Sequence, residues 1–220
     1  MFKQTSQVVL CTCRTKPHLP SDNKMADEFI SPVYLASSMA KAKTGSFRLT
    51  ETITIPNASA SGSRVMGDID LGAYVNVPTG QAIAVESVDF IWQIGTDYSG
   101  LASQGAAGDY SLNAQLVDLN PATAFVRADD QSLIASQHID VDQSANLTTE
   151  SQDLFPDNFG PASLSEAFMV VNDTLYLTGG IDGSAAADNL YCTAVITCRV
   201  VKLSQQDWMA IAIQSTSSDN

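Results

Sequence analysis

The sequence predicts an all-β protein built as an antiparallel β-sandwich with short flanking helices. Three observations predict it. Apolar and polar residues alternate at period two, as in Phe47, Leu49, Ile53 and Ile55 against Arg48, Thr50, Thr52 and Thr54. That period turns one face of a strand to a core and the other to water. The alternating stretches are separated by turn formers: Pro56-Asn57 through Gly62, Pro78-Thr79-Gly80, Thr96 through Gly108, and Gly179 through Asp188. Finally, 220 residues of which 45% are hydrophobic suit one sandwich with a sizeable core.

In chain order, residues 1–24 read as a basic leader or arm, and Met25 as a second plausible start. Ser31-Pro32 is a helix start, with a hydroxyl at the cap and proline in the first turn. Val33 to Lys43 then reads as a short helix, with Lys41 and Lys43 at its negative end and Gly45 as its cap. Residues 25–45 are thus a short helical segment, and residues 46–203 the sandwich.

Strands are expected at 46–55, 65–77, 82–94, 110–118, 123–127, 167–171, 174–179 and 190–203, with a weaker one at 132–136. Within 82–94 the apolar parity flips. Ile83 and Val85 are odd, whereas Val88, Phe90, Trp92 and Ile94 are even. A β-bulge near Ser87 keeps both sets, Trp92 included, on the core side. Residues 137–166 show little regular pattern and are polar apart from Leu154, Phe155 and Phe159, which reads as a long interaction loop.

The strand at 190–203 is apolar on both parities: Leu190, Cys192, Ala194 and Ile196 on one, Tyr191, Val195, Val201 and Leu203 on the other. It should be central, or covered on its second face by a helix or a neighbouring chain. Ser204-Gln205-Gln206-Asp207 is a capping pattern. It opens a short helix carrying Trp208, Met209, Ile211 and Ile213, so residues 204–220 read as a helix and tail.

Charge and cysteines narrow the function. Lys3, Arg14, Lys16 and Lys24 against Asp22 give residues 1–24 a net +3, and the remaining 7 basic and 23 acidic residues a net −16. A body this acidic repels phosphate, which argues against direct nucleic-acid binding by the folded domain. No run approaches the ~20 apolar residues of a membrane span, and Val8-Val9-Leu10 is too short for a secretion signal. Cys192 and Cys198 lie on one strand at a separation of about 20 Å, beyond disulfide reach, and read as small buried core residues. Cys11 and Cys13 lack a usual zinc spacing.

Catalytic signatures such as GxSxG, HExxH, a P-loop or GxGxxG are missing, so the chain does not read as an enzyme and no cofactor is expected. His138 reads as a surface-loop histidine, although a Ser/His/Asp site with Asp140 can be drawn on paper. Asp68 with Asp70, and Asp140 with Asp142, each share one face of an extended segment and are candidate ligands for a calcium ion, with Asp182-Gly183 as a further donor. Asn57, Asn146 and Asn172 open glycosylation triplets, discounted without an export signal. Candidate interface residues are the apolar side chains outside the strand core: Phe29, Tyr34, Phe155, Phe159 and Trp208.

The helix at 32–43, the strands from Ser46 to Leu203 and the Thr-, Asn- and Asp-rich turns together resemble the single jelly-roll capsid proteins of icosahedral viruses. The resemblance covers about three quarters of the chain and is one of architecture. It implies a jelly-roll sandwich and a virion subunit that self-assembles into an icosahedral shell through loop and terminal contacts. Its partners would be copies of itself and other virion proteins. The chain departs from many such proteins in lacking a strongly basic arm, which suits a shell over an internal membrane or over another nucleic-acid-binding protein. The competing reading is a cell-surface or secreted β-sandwich that binds a receptor or carbohydrate.

Overall fold

Period-two sequence becomes strand along most of the chain. A computed structural model describes residues 40–95, 104–154 and 167–216, all within the compact unit Ala36–Asn220. The expected leader, the helix start at Ser31-Pro32, Cys11, Cys13, Phe29, Tyr34, Phe155 and Phe159 lie outside the described residues.

The strands are β1 (Lys41–Ala42), β2 (Phe47–Ile55), β3 (Ser63–Asp70), β4 (Gln81–Ile94), β5 (Tyr110–Val117), β6 (Leu133–Asp142), β7 (Leu147–Leu154), β8 (Phe168–Val170), β9 (Thr174–Gly183) and β10 (Leu190–Lys202), followed by helix α1 (Gln205–Thr216). Sheet A runs β2-β10-β4-β8, with β1 also pairing β10; sheet B runs β3-β9-β5-β6-β7. Every pairing is antiparallel. Chain-consecutive strands β2, β3, β4 and β5 alternate between sheets, as do β8, β9 and β10. This is the interleaved Greek-key order of a jelly roll.

The core lies between the sheets. Ile53, Ile55, Ile83, Leu112, Leu116, Leu177, Ile181, Leu190 and Ile196 are all buried there, with Trp92 packed among them. Cys192 and Cys198 are both fully buried and unpaired. The bulge in β4 falls where parity demanded it: Thr197 pairs Ser87 and Cys198 pairs Val85, leaving Glu86 as the extra residue. Thereby Val85 and Val88 both face the core while Glu86 points out.

Four expectations are corrected. Lys41–Ala42 form strand β1 on β10 rather than the last turn of a helix, because Ala42 and Lys43 complete the ladder beside Val201 and Val200. The third strand stops at Asp70; Asp70 Oδ1 accepts the Gly72 amide at 2.7 Å, and the chain turns into a short 3-10 segment at Val77–Thr79. Residues 123–127 are a loop, because Gln115 on β5 takes both the amide and the carbonyl of Val126 at 2.9 Å and so binds it side-on. Residues 137–154, expected to be irregular, belong to β6 and β7. Their outer residues are polar on both strands, which masks the alternation at the sheet's edge.

Candidate functional site

The outer face of sheet A is divided in two. Over one half lies α1, started by Ser204, whose Oγ accepts the Asp207 amide at 3.1 Å and donates to Asp207 Oδ2 at 2.7 Å. Trp208, Ile211 and Ala212 recur at helical spacing and pack onto Ala82, Ala84, Val201 and Leu203. The second face of the two-sided strand is therefore covered from within the chain, and Trp208 is half-buried beneath α1. Met209 and Ile213, on the other side of α1, are exposed.

The second half of that face has no cover among the described residues. In register across β2, β10 and β4 stand the rows Thr50–Val195–Asp89, Thr52–Thr193–Ile91 and Thr54–Tyr191–Gln93. Thr52 and Thr193 share a hydroxyl hydrogen bond of 2.9 Å, and Ile91 is exposed. Of the seven basic residues described, Lys41, Lys43, Arg48, Arg199 and Lys202 belong to the β1, β2 and β10 side of this sheet.

The outer face of sheet B is acidic and networked. Arg64 Nη2 donates to Asp182 Oδ2 at 2.7 Å, and Asn113 Nδ2 donates to the same oxygen at 3.0 Å. The Asn113 carbonyl then accepts from His138 Nδ1, while His138 Nε2 donates to Asp140 Oδ1 at 2.9 Å. The chain of bonds is complete when both ring nitrogens carry protons. Phe125, held by the loop on Gln115, lies 4.6 Å below the Arg64 guanidinium. Beside this network a shallow depression of about 330 Å³ is lined by Asp109, Ser111, Asp140, Asp142 and Asp182.

His138 thus sits on a strand, not in a surface loop. With Asn113 and Asp140 on its two nitrogens, neither is left for a serine, so the paper Ser/His/Asp site does not form. The cation candidates also separate. Asp68 is in register with Tyr176, whereas Asp140 lies in the row of Ser111 and Asp182, six residues along β9 or about 20 Å away. Within the depression, Asp140 is engaged by His138 and Asp182 by Arg64. The Ser144 hydroxyl and then the Ala145 amide hold Asp142 below the usual carboxylate range. Among the described residues no group of three or more His, Cys, Asp or Glu is placed to hold a metal ion, and no helix is long and apolar enough to cross a membrane.

Sequence reasoning passed over Asp118, just past β5. It is 2% exposed, and neither carboxyl oxygen has a partner. Burial pushes its pKa up to about 7, with the charge of Asp130 adding to the shift and a backbone hydrogen bond opposing it. Its backbone is held by the Ser132 carbonyl and by Asn172 Nδ2. Only its position in phase with buried Leu116 hinted that it would be inside.

No family model and no curated protein matches the sequence. Among solved structures, VP1 of Trichodysplasia spinulosa-associated polyomavirus overlaps at 10% identity and a TM-score of 0.37, over 76% of this chain and 100% of that one. A chain from Desmodium yellow mottle tymovirus overlaps at 12% identity and a TM-score of 0.26, over 93% and 98%. Overlaps this loose transfer no function; the jelly roll here stands on its own strand order and register.

Proposed function

We propose that this chain is a structural protein, a viral capsid subunit that self-assembles into an icosahedral shell and resides in the virion. The observation that carries the reading is the uncovered half of sheet A. The sandwich closes its own core and even covers part of β10 with α1, yet leaves a flat Thr, Val, Ile and Tyr surface to solvent. Such a surface is explained by a partner. Contacts from the terminal segments and long loops, with Phe29, Tyr34, Phe155 and Phe159 as apolar anchors, complete the subunit interface, and other virion proteins are its further partners. The residue divisions at 24, 45 and 203 separate arm, entry segment, sandwich and C-terminal helix in this reading. Genome contact falls to another component, because the body is acidic.

The test is native mass. Light scattering and electron microscopy of purified full-length chain, over a range of concentration and ionic strength, should give rings or shells. A monomer under every condition overturns the reading. One observation favours a binding module instead: Tyr191 stands outward between Thr54 and Gln93, an aromatic and polar combination that suits a sugar ring. A monomer that binds a glycan, and loses it in Tyr191→Ala, decides for that module.

A further inference from the structure

Charge is sorted between the two outer faces. Lys41 and Lys202 are register partners on adjacent strands, and both are exposed. Like charges directly opposite each other repel, and no acidic partner is found for either among the described residues. Lys43 donates only to the neutral Gln81 side chain, and Arg48 is exposed at the end of the uncovered Thr surface. That side of the fold is therefore a flat, nearly uncharged face with a cationic rim. The outer face of sheet B is the opposite: Asp68, Asp70, Asp140 and Asp142 stand on it, and its Arg64 is already neutralised by Asp182.

Resting on the assembly reading above, we propose that copies associate head to tail, the uncovered face and cationic rim of sheet A in one copy seated on the acidic outer face of sheet B in the next. The occupant of each face is a second copy of this chain, because complementary charge is present on the same molecule. The pairing is heterologous. A two-fold contact would set lysine on lysine or aspartate on aspartate, whereas a head-to-tail contact sets one on the other. Repeated with a closing rotation it makes a ring, as a shell requires.

Two charge-reversed chains test this at the ionic strength where the wild type assembles. Lys41→Glu/Lys202→Glu makes both faces acidic; Asp68→Lys/Asp140→Lys makes both basic. Each alone should weaken assembly at least tenfold by light scattering, and a one-to-one mixture should restore it, since every contact then joins opposite charges. If the wild type assembles and the reversed chains assemble equally well, or if the mixture restores nothing, the proposal fails while the capsid reading stands. If the wild type never assembles, both fail. Circular dichroism checks each fold. Should a reversed chain not fold, Lys41→Gln/Lys202→Gln and Asp68→Asn/Asp140→Asn are compared instead, and a loss of several-fold in each is required. A single-stranded oligonucleotide bound by the wild type and released by Lys41→Glu/Lys202→Glu would assign the rim to phosphate and overturn the proposal.

Discussion

Glu86 and Arg199 form an ion pair across the β4 bulge, on the outer face of sheet A, with Ser46 Oγ donating to Glu86 at 2.7 Å and accepting from Arg199 at 3.2 Å. The bulge supplies the carboxylate. Without the extra residue Glu86 would face the core, and Val88 would face water.

Removing one partner should cost more than removing both. Glu86→Ala leaves a half-buried guanidinium without its counter-charge and should destabilise by about 2 kcal/mol. Glu86→Leu with Arg199→Met, an apolar pair of similar volume, should recover most of that. Denaturant midpoints for the two variants measure the difference; an equal loss in both would refute it.

Asp118 should make stability depend on pH. Its folded pKa, about 7, lies above the ordinary 3.8, so its protonated form is favoured by folding. The stability it contributes is fully present below about pH 4, declines as pH rises, and is gone above about 7. At about 1.4 kcal/mol per unit, that window amounts to roughly 4 kcal/mol. Asp118→Asn should match the wild type near pH 4 and exceed it by a few kcal/mol at pH 8. Thermal unfolding at both pH values reads this out, and a pH-independent difference would contradict it.

Cys192 and Cys198 should be inert in the folded chain. Burial raises both thiols, Cys198 up to about 12 with the nearby Glu86 charge adding to it, so neither supplies thiolate at neutral pH. Thiol reagents should label them only on unfolding. Either serine substitution should destabilise by ~1–3 kcal/mol, because the hydroxyl is buried without a partner. Rapid native-state labelling would show that the strand opens.

Gly180 should not tolerate a side chain. A Cβ there would stand 2.4 Å from Arg64 Cδ and 2.8 Å from the Ser63 carbonyl, so Arg64 crosses β9 only because position 180 is bare. Gly180→Ala should displace Arg64 from Asp182 and destabilise by about 1–3 kcal/mol. Arg64→Ala in the same background should then cost little more, and a fully additive pair would break the link.

Much of the fold was legible in local pattern. β2, β4, β5 and β10 carry long alternation with large apolar side chains, and the parity flip from Val85 to Val88 located the bulge. Ser204 and Asp207 marked the start of α1 because a cap is a local hydrogen bond. The misread parts lie where tertiary contact overrides pattern. Lys41 and Lys43 suit a helix end, but β10 offers their backbone a ladder. Val126 suits a strand, but Gln115 takes its amide and carbonyl. β7 reads as loop because polar residues suffice at a sheet edge.

The candidate site was legible only in part. Asp140, Asp142 and Asp182 do share one depression, yet nothing local foretold that Asn113, His138 and Arg64 would already engage two of them. Nor could pattern tell which half of sheet A α1 would cover, since Tyr191 and Val201 have the same parity.

The sequence by itself determined the strands, the parity of the core and the overall charge, because each depends on neighbours one to four residues apart. Tertiary structure alone decided which strands pair, which carboxyl is buried beyond reach of a partner, and how charge divides between the two outer faces. Those depend on contacts between residues as distant in sequence as Lys41 and Lys202. Period two records which side of a strand is apolar, but only the order of strands in a sheet sets what lies against it.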